Sequence, residues 1–266
     1  MPAPGIAKTS AFMLSTATVM LGPVADLHKL NALDHSIGLV KNFQMTADPQ
    51  YIELTQGISN NVVMSVKNAE GIKASMEVYE FSNRNLAYAA GLDGSGVAFD
   101  QAAAPVAISA ASTSTTLKVG SDITTEYAVG DYIFAQKGLE DVVHIGKVKT
   151  IAFATGTTTI TLETGFEIPA SLSFGVGDRI GKVKKISVGG QTFQTELAAK
   201  IVGILPKDGK PFTIMLPKVK VTKGLSAAFQ SDNFSNMPFE FTPYAGLPGD
   251  PFYAEYGAAS AILFPA

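Results

Sequence analysis

The sequence predicts a mainly β protein in which one β domain, residues 1–96 with 190–266, is interrupted by a small inserted β-barrel domain at residues 97–189. Three observations lead there. Apolar residues recur at period two in many short segments, as they do in half-buried strands. Gly and Pro, 25 and 14 of them, are scattered as turn punctuation without a collagen period. An internal echo, confined to the middle of the chain, marks that segment off from the rest.

A chain of 266 residues is long enough to bury a real core, and 46% hydrophobic against 16% charged residues excludes disorder. So low a charged fraction, set against roughly 25% for an average soluble domain, predicts that much of the surface lies against other subunits. The net charge of −3 is spread without a basic or acidic tail. That disfavours tight, sequence-independent binding of nucleic acid, which needs clustered cations to displace phosphate counterions. With no cysteine there is no disulfide, thiolate nucleophile or thiolate metal site.

Phe12 to Ala25 is apolar in the manner of a short signal segment, but Ser15, Thr16 and Thr18 interrupt it and it reads as a β-strand. No run of 18 apolar residues predicts a transmembrane helix. Ile37, Leu39, Phe43 and Met45 share one face of a predicted strand over Ile37–Met45, and a second strand is predicted over Ile72–Phe81. Between them, Asp48–Asn61 carries Pro49, Gly57 and the pair Asn60-Asn61 and reads as a long hairpin loop. A short helix is predicted from Asn83 to Leu92, with a capping residue at its start, Leu86, Ala89 and Ala90 at helical spacing, and Gly91 to end it. From Gly94 to about Thr116 the Ala, Ser and Thr content reads as a linker.

In the insert, Tyr127-Ala128-Val129-Gly130-Asp131-Tyr132-Ile133 echoes Phe174-Gly175-Val176-Gly177-Asp178-Arg179-Ile180, and His144 to Ile151 echoes Arg179 to Ile186. The Val-Gly-Asp pieces are expected to be tight turns feeding strands, with Gly supplying the dihedrals and Asp capping the turn. Beyond Gly190, Leu197–Leu205 and Phe212–Leu216 read as a hairpin turning at Lys207–Lys210. Val219–Thr222, Leu225–Gln230, Met237–Thr242 and Ala261–Phe264 complete a β-rich second half.

The residues offer little catalytic chemistry. Asp26, His28, Asp34 and His35 lie close in sequence but match no metal-ligand spacing. No serine sits in a nucleophile elbow, and Gly175 to Lys182 fails the glycine spacings of both dinucleotide and phosphate loops. Glu77 and Glu80, three apart on a strand, point to opposite faces. The expectation is a non-enzyme with no catalytic, cofactor-binding or metal residues. Lys147 and Lys149, Lys182 and Lys184, and Lys218 and Lys220 form Lys-Val-Lys triplets, read as inward Val with outward amines on solvated strands. Contact of those amines with DNA phosphates is the sharper alternative.

Several pieces together resemble the major tail tube proteins of tailed bacteriophages. They are Met13-Leu14-Ser15-Thr16-Ala17-Thr18-Val19, Val66-Lys67, the run from Glu77 to Leu92, the run from Leu216 to Leu225, Asp232-Asn233-Phe234, and Met237-Pro238-Phe239-Glu240-Phe241. The resemblance implies two packed β-sheets with a flanking helix, and homohexameric rings stacked into a hollow tube through which the genome is ejected. It implies partners among other tail proteins (terminator, baseplate or tip, sheath), passage of double-stranded DNA without tight binding, no membrane and no cofactor. The location implied is the virion tail, made in the bacterial host cytoplasm. The long loop would reach the adjacent ring, giving Tyr51, Ile52, Leu54, Asn60 and Asn61 as contact residues. Strand Ile72–Phe81 is a candidate lumen lining, and the insert is expected on the tube exterior. The alternatives are another β-rich virion or phage-derived injection-device component, or a secreted glycan-binding adhesive module with Tyr127, Tyr132 and Phe134 as stacking residues.

Overall fold

The computed structural model describes residues 17–56, 61–92, 94, 104–189, 195–205, 209–226 and 235–265. In chain order the strands are β1 (Thr18–Pro23), β2 (Val40–Gln56), β3 (Asn61–Val78), β4 (Val106–Ala110), β5 (Thr116–Val119), β6 (Tyr132–Gln136) and β7 (Val143–Ala154). There follow β8 (Thr157–Leu162), β9 (Arg179–Val183), β10 (Leu197–Ile204), β11 (Pro211–Lys223), β12 (Met237–Pro243) and β13 (Ile262–Pro265). Helices are short: α1 (Ala32–His35), α2 (Asn83–Ala89) and α3 (Tyr253–Tyr256), with a 3-10 segment at Val24–Lys29. The protein is mainly β, and it divides into two compact units, Met1–Phe99 with Val188–Ala266, and Asp100–Ser187.

The first unit is one sheet in the order β1-β10-β11-β12-β3-β2, with β13 paired to part of β11. The resemblance implies two packed sheets; here the strands are bonded into one continuous sheet that curls. Ser36 bridges to Met20 and the Ile37 N–H donates to Val19 O, so the segment entering β2 first runs along the free edge of β1. The two ends of the sheet are thereby drawn around a common core of Val19, Leu21, Val78, Leu216, Phe239 and Phe241. On the other face of the sheet, Met20, Ala198 and Met215 are covered by Leu27 and Leu30 near the 3-10 segment and by Phe252 beside α3.

Strand β11 joins two predicted strands through Pro217. Its residues Phe212 to Met215 pair with β13 on one edge and Val219 to Lys223 with β12 on the same edge, while β10 runs along the other. Between Leu216 and Val219, Pro217 and Lys218 oppose the single residue Ala198, which is a β-bulge and the setting in which a sheet tolerates Pro. The extra residue resets the alternation, so Ile214 and Leu216 before it and Val219 and Val221 after it all enter the same core.

The start of β2 departs from the predicted strand over Ile37–Met45. Ile37 is buried but Leu39 is exposed, and Val40 takes the inward position. Gly38 lies at φ +83° and a bulge carrying Asn42 at φ +54° follows, so a strict period of two is broken twice. Helix α2 forms as expected. The Ser82 hydroxyl accepts from the Asn85 N–H at 3.1 Å, Gly91 at φ +79° ends the helix, and the N–H groups of Gly91 and Leu92 donate to Tyr88 O and Ala87 O. Its small-residue side sits so close to Gly224 that a Cβ there would lie 2.7 Å from Ala89 Cα.

The second unit is a closed six-stranded barrel in the order β4-β5-β8-β7-β6-β9. Its first strand, β4, falls inside the stretch read as a linker, because Val106 and Ile108 alternate inward among small residues that periodicity reads poorly. The sequence echo is a structural repeat. Ala128 N–H donates to Asp131 Oδ2 at 2.8 Å and Gly175 N–H to Asp178 Oδ2 at 2.7 Å, with Gly130 at φ +90° and Gly177 at φ +92°. Tyr127 and Phe174 plug the core ahead of each turn, and Ile133 and Ile180 follow it inward. The β7–β8 hairpin turns on Thr155 and Gly156, both at positive φ, the geometry that favours Asn-Gly. A β-branched residue is strained at φ +49°. Thr155→Asn is therefore expected to stabilise the barrel by about 1 kcal/mol, read as a raised denaturation midpoint.

Candidate functional site

The segment read as a loop, Asp48–Asn61, is the outgoing half of a two-stranded ribbon. Strand β12 pairs with β3 only over Ala74–Val78, whereas β2 pairs with β3 to its far end, so residues 46–56 and 61–73 run on beyond the sheet as a hairpin. Pro49 is accommodated because β2 is the last strand of the sheet, where a missing N–H costs no ladder bond on the outer side. Asp48 pairs with Gly71 and Pro49 with Glu70, so this stretch is regular strand.

Pairing sorts the side chains onto two faces. Ile52 opposes Val66 and Leu54 opposes Met64, which places four apolar side chains together on one face. Tyr51 opposes Lys67 and Glu53 opposes Ser65 on the other. All four apolar residues are more than half exposed, from 51% at Val66 to 62% at Leu54, and Tyr51, Val62 and Val63 elsewhere on the ribbon are exposed as well. The alternation along β2 sets Ile52 and Leu54 on the face opposite Met45, outside the core of the curl. Extra residues on β3 oppose the Gln50–Tyr51 and Leu54–Thr55 steps, giving two bulges in the ribbon besides the one at its base.

Of the predicted contact residues, Ile52 and Leu54 are brought together on the apolar face, Tyr51 stands on the other, and Asn61 pairs with Gln56 near the tip. Asn60 lies outside the described residues. Met64 and Val66 were not among the predicted contacts. Their signal was a second period-two run on the far side of Gly57 and Asn60-Asn61, a mirror of Ile52 and Leu54.

Strand β3 within the sheet has one dry and one wet face. Ile72, Ala74, Met76 and Val78 are buried, while Lys73, Ser75 and Glu77 lie outward. Lys73 and Ser75, with Gln44, Thr46, Thr222, Glu240 and Thr242, border an open groove of about 440 Å³. At the end of the same strand the Tyr79 hydroxyl donates to Glu77 Oε2 at 2.9 Å, and this bond holds the Glu77 carboxyl below its usual range.

The lysine triplets are engaged by the chain's own acids. Lys147 meets Glu163 at 2.7 Å, Lys182 meets Asp131, and Lys220 meets Glu196 at 3.5 Å. Lys218 lies with Lys220 on the face opposite Val219, as expected, but that face is covered here by the segment around Asp250, so Lys218 is only 7% exposed and meets Glu196 at 3.0 Å and Asp250 at 3.4 Å. The Glu196 carboxylate holds the Lys218 ammonium above the ordinary lysine range although burial opposes this.

Asp26, His28, Asp34 and His35 are occupied separately. Asp26 pairs with Lys29, His28 stacks on Tyr256 beside Glu255, Asp34 accepts from Asn31 Nδ2, and His35 Nδ1 faces the Asn31 N–H. Among the described residues no group of three or more His, Asp or Glu side chains is placed to hold a metal ion, and no helix is long and apolar enough to cross a membrane. In the barrel Tyr127 is buried, Tyr132 meets Phe166 edge-on and Phe134 lies over Gly181, so these three do not form one exposed stacking platform. Compared with protein-family models and with curated protein sequences, the chain matches none.

Burial pushes the Asp131 carboxyl up, but the Lys182 ammonium and the Ala128 N–H outweigh it and hold the group below the ordinary aspartate range. With its folded value below its unfolded one, Asp131 stabilises the barrel above about pH 4 and ceases to as the pH falls through the folded value. Asp131→Asn is expected to lower the denaturant midpoint at neutral pH and to flatten its decline on acidification; an unchanged acid slope would contradict this.

Proposed function

We propose that the chain is a structural subunit of a phage tail tube, forming hexameric rings that stack into a hollow conduit for genome ejection. The observation that carries the reading is the β2–β3 ribbon with Ile52, Leu54, Met64 and Val66 exposed on one face. Two-stranded hairpins alone are marginally stable in water, and an apolar strip along one favours a docked state against another subunit. The occupant proposed is a second copy of this chain in the next ring. The low charged fraction of the sequence supports the same conclusion.

Other features agree with a conduit. Lys147, Lys182, Lys218 and Lys220 are each paired with a carboxylate, which leaves their charge less able to grip passing phosphates. The polar face with Lys73, Ser75 and Glu240 mixes both charge signs with hydroxyls and is the proposed lumen lining. The barrel closes on itself, so it offers no open sheet edge and suits an exterior position. In this reading the chain has no catalytic role, works in the virion tail and meets terminator, tip or sheath proteins at the tube's ends and surface.

Negative-stain electron microscopy of the concentrated chain is expected to show rings or tubes of constant width. Ile52→Asp combined with Leu54→Asp is expected to leave a folded subunit, by circular dichroism, that forms no stacks. Tubes of normal length from that variant would remove the ribbon from the assembly contact. A wild-type chain that stays a monodisperse monomer would favour the glycan-binding alternative, to be pursued by a glycan screen.

A further inference from the structure

The Glu196, Lys218 and Asp250 cluster does more than pair charges. We propose that Lys218 Nζ and Asp250 Cγ join in an intramolecular isopeptide bond, with Glu196 as the proton carrier. The inference is independent of the tail-tube reading, since it rests on this cluster alone.

The nucleophile is held at both ends. Lys218 sits in the Pro217 bulge, its carbonyl accepts from the Tyr244 N–H at 2.8 Å, and its side chain is 9% exposed. Nζ lies 3.4 Å from each Asp250 oxygen, in contact with the whole carboxylate. Asp250 is fixed in turn, because its Oδ2 accepts from the Leu247 N–H at 2.8 Å and its N–H donates to Leu247 O. Glu196 Oε2 lies 3.0 Å from the same Nζ, while Oε1 faces Lys220, whose ammonium rests over the Tyr244 ring. One amine is thus in reach of two carboxylates, one placed as electrophile and one as base.

The reaction balances without an outside reagent. Glu196 takes a proton from the Lys218 ammonium and passes it to an Asp250 oxygen. The freed Nζ lone pair attacks Cγ, giving a tetrahedral centre. A second nitrogen proton, relayed by Glu196, leaves with that oxygen as water when the C–O bond breaks. An ammonium and a carboxylate become an amide and one water, with no oxidation and no net change in protons. Two physical factors favour condensation here over bulk water. Fixed contact gives the amine a high effective concentration at Cγ. A neutral amide also removes the desolvation cost that two partly buried charges carry. The bond would tie β11 to the segment leading to Phe252 and α3, which covers the outer face of the sheet.

The test is the intact mass of the purified full-length chain. The expected value is one water below the mass of the sequence, with a branched proteolytic peptide joining the Lys218 and Asp250 segments. Glu196→Gln, checked for folding by circular dichroism, and Lys218→Arg are each expected to restore the full mass. A wild-type chain at its full sequence mass after prolonged incubation at neutral pH would overturn the proposal, as would a water loss that maps elsewhere. A branched peptide persisting in Glu196→Gln would overturn the role given to Glu196.

Discussion

The register of β11 is the constraint on which the sheet unit depends. This strand carries β10 and β1 on one edge and divides the other between β13 and β12. Through β12 it also carries β3 and β2, and hence the ribbon. Without the Pro217–Lys218 bulge, Val219 and Val221 would face away from the core that Ile214 and Leu216 fill. Slipping the second half by one residue would turn the apolar side chains that meet Phe239 and Phe241 away from the core and point Lys218 toward it. The same two residues therefore set the core, the buried ion cluster and the base of the projecting hairpin.

Electrostatics in both units works locally. The Lys182 ammonium finds Asp131 within a turn-and-strand repeat, and Lys218 finds two acids from different parts of the chain. Such contacts add orientation more than energy where they are exposed. Where they are buried, as at Lys218, losing one partner would leave an uncompensated charge, so the group behaves as a unit.

Much of the fold was legible wherever local chemistry dictates local geometry. Ser82 and Gly91 bracket α2 because a hydroxyl satisfies a free N–H and a glycine accepts positive φ. The Val-Gly-Asp echo read as turns for the same reason. What escaped was set by pairing across strands. A bulge leaves no mark in composition, so Leu39 and Val40 exchanged roles, and nothing local to Lys218 signals that the distant segment around Asp250 covers it. The ribbon hid as a loop because a strand exposed on both faces shows no burial period, and Pro49 reinforced the error. Tyr51, Ile52 and Leu54 were found as individual apolar residues, but only the register reveals that Ile52 and Leu54 share a face with Met64 and Val66 while Tyr51 does not.

The bulges along β2 and β3 have a further consequence. Each adds right-handed twist to a ribbon already free of flanking strands, so the apolar strip winds as it runs toward the tip. A surface that covers such a strip has to follow its winding along the whole length of the contact. The hand of that winding is therefore fixed by the backbone of a single subunit before any side chain makes a contact.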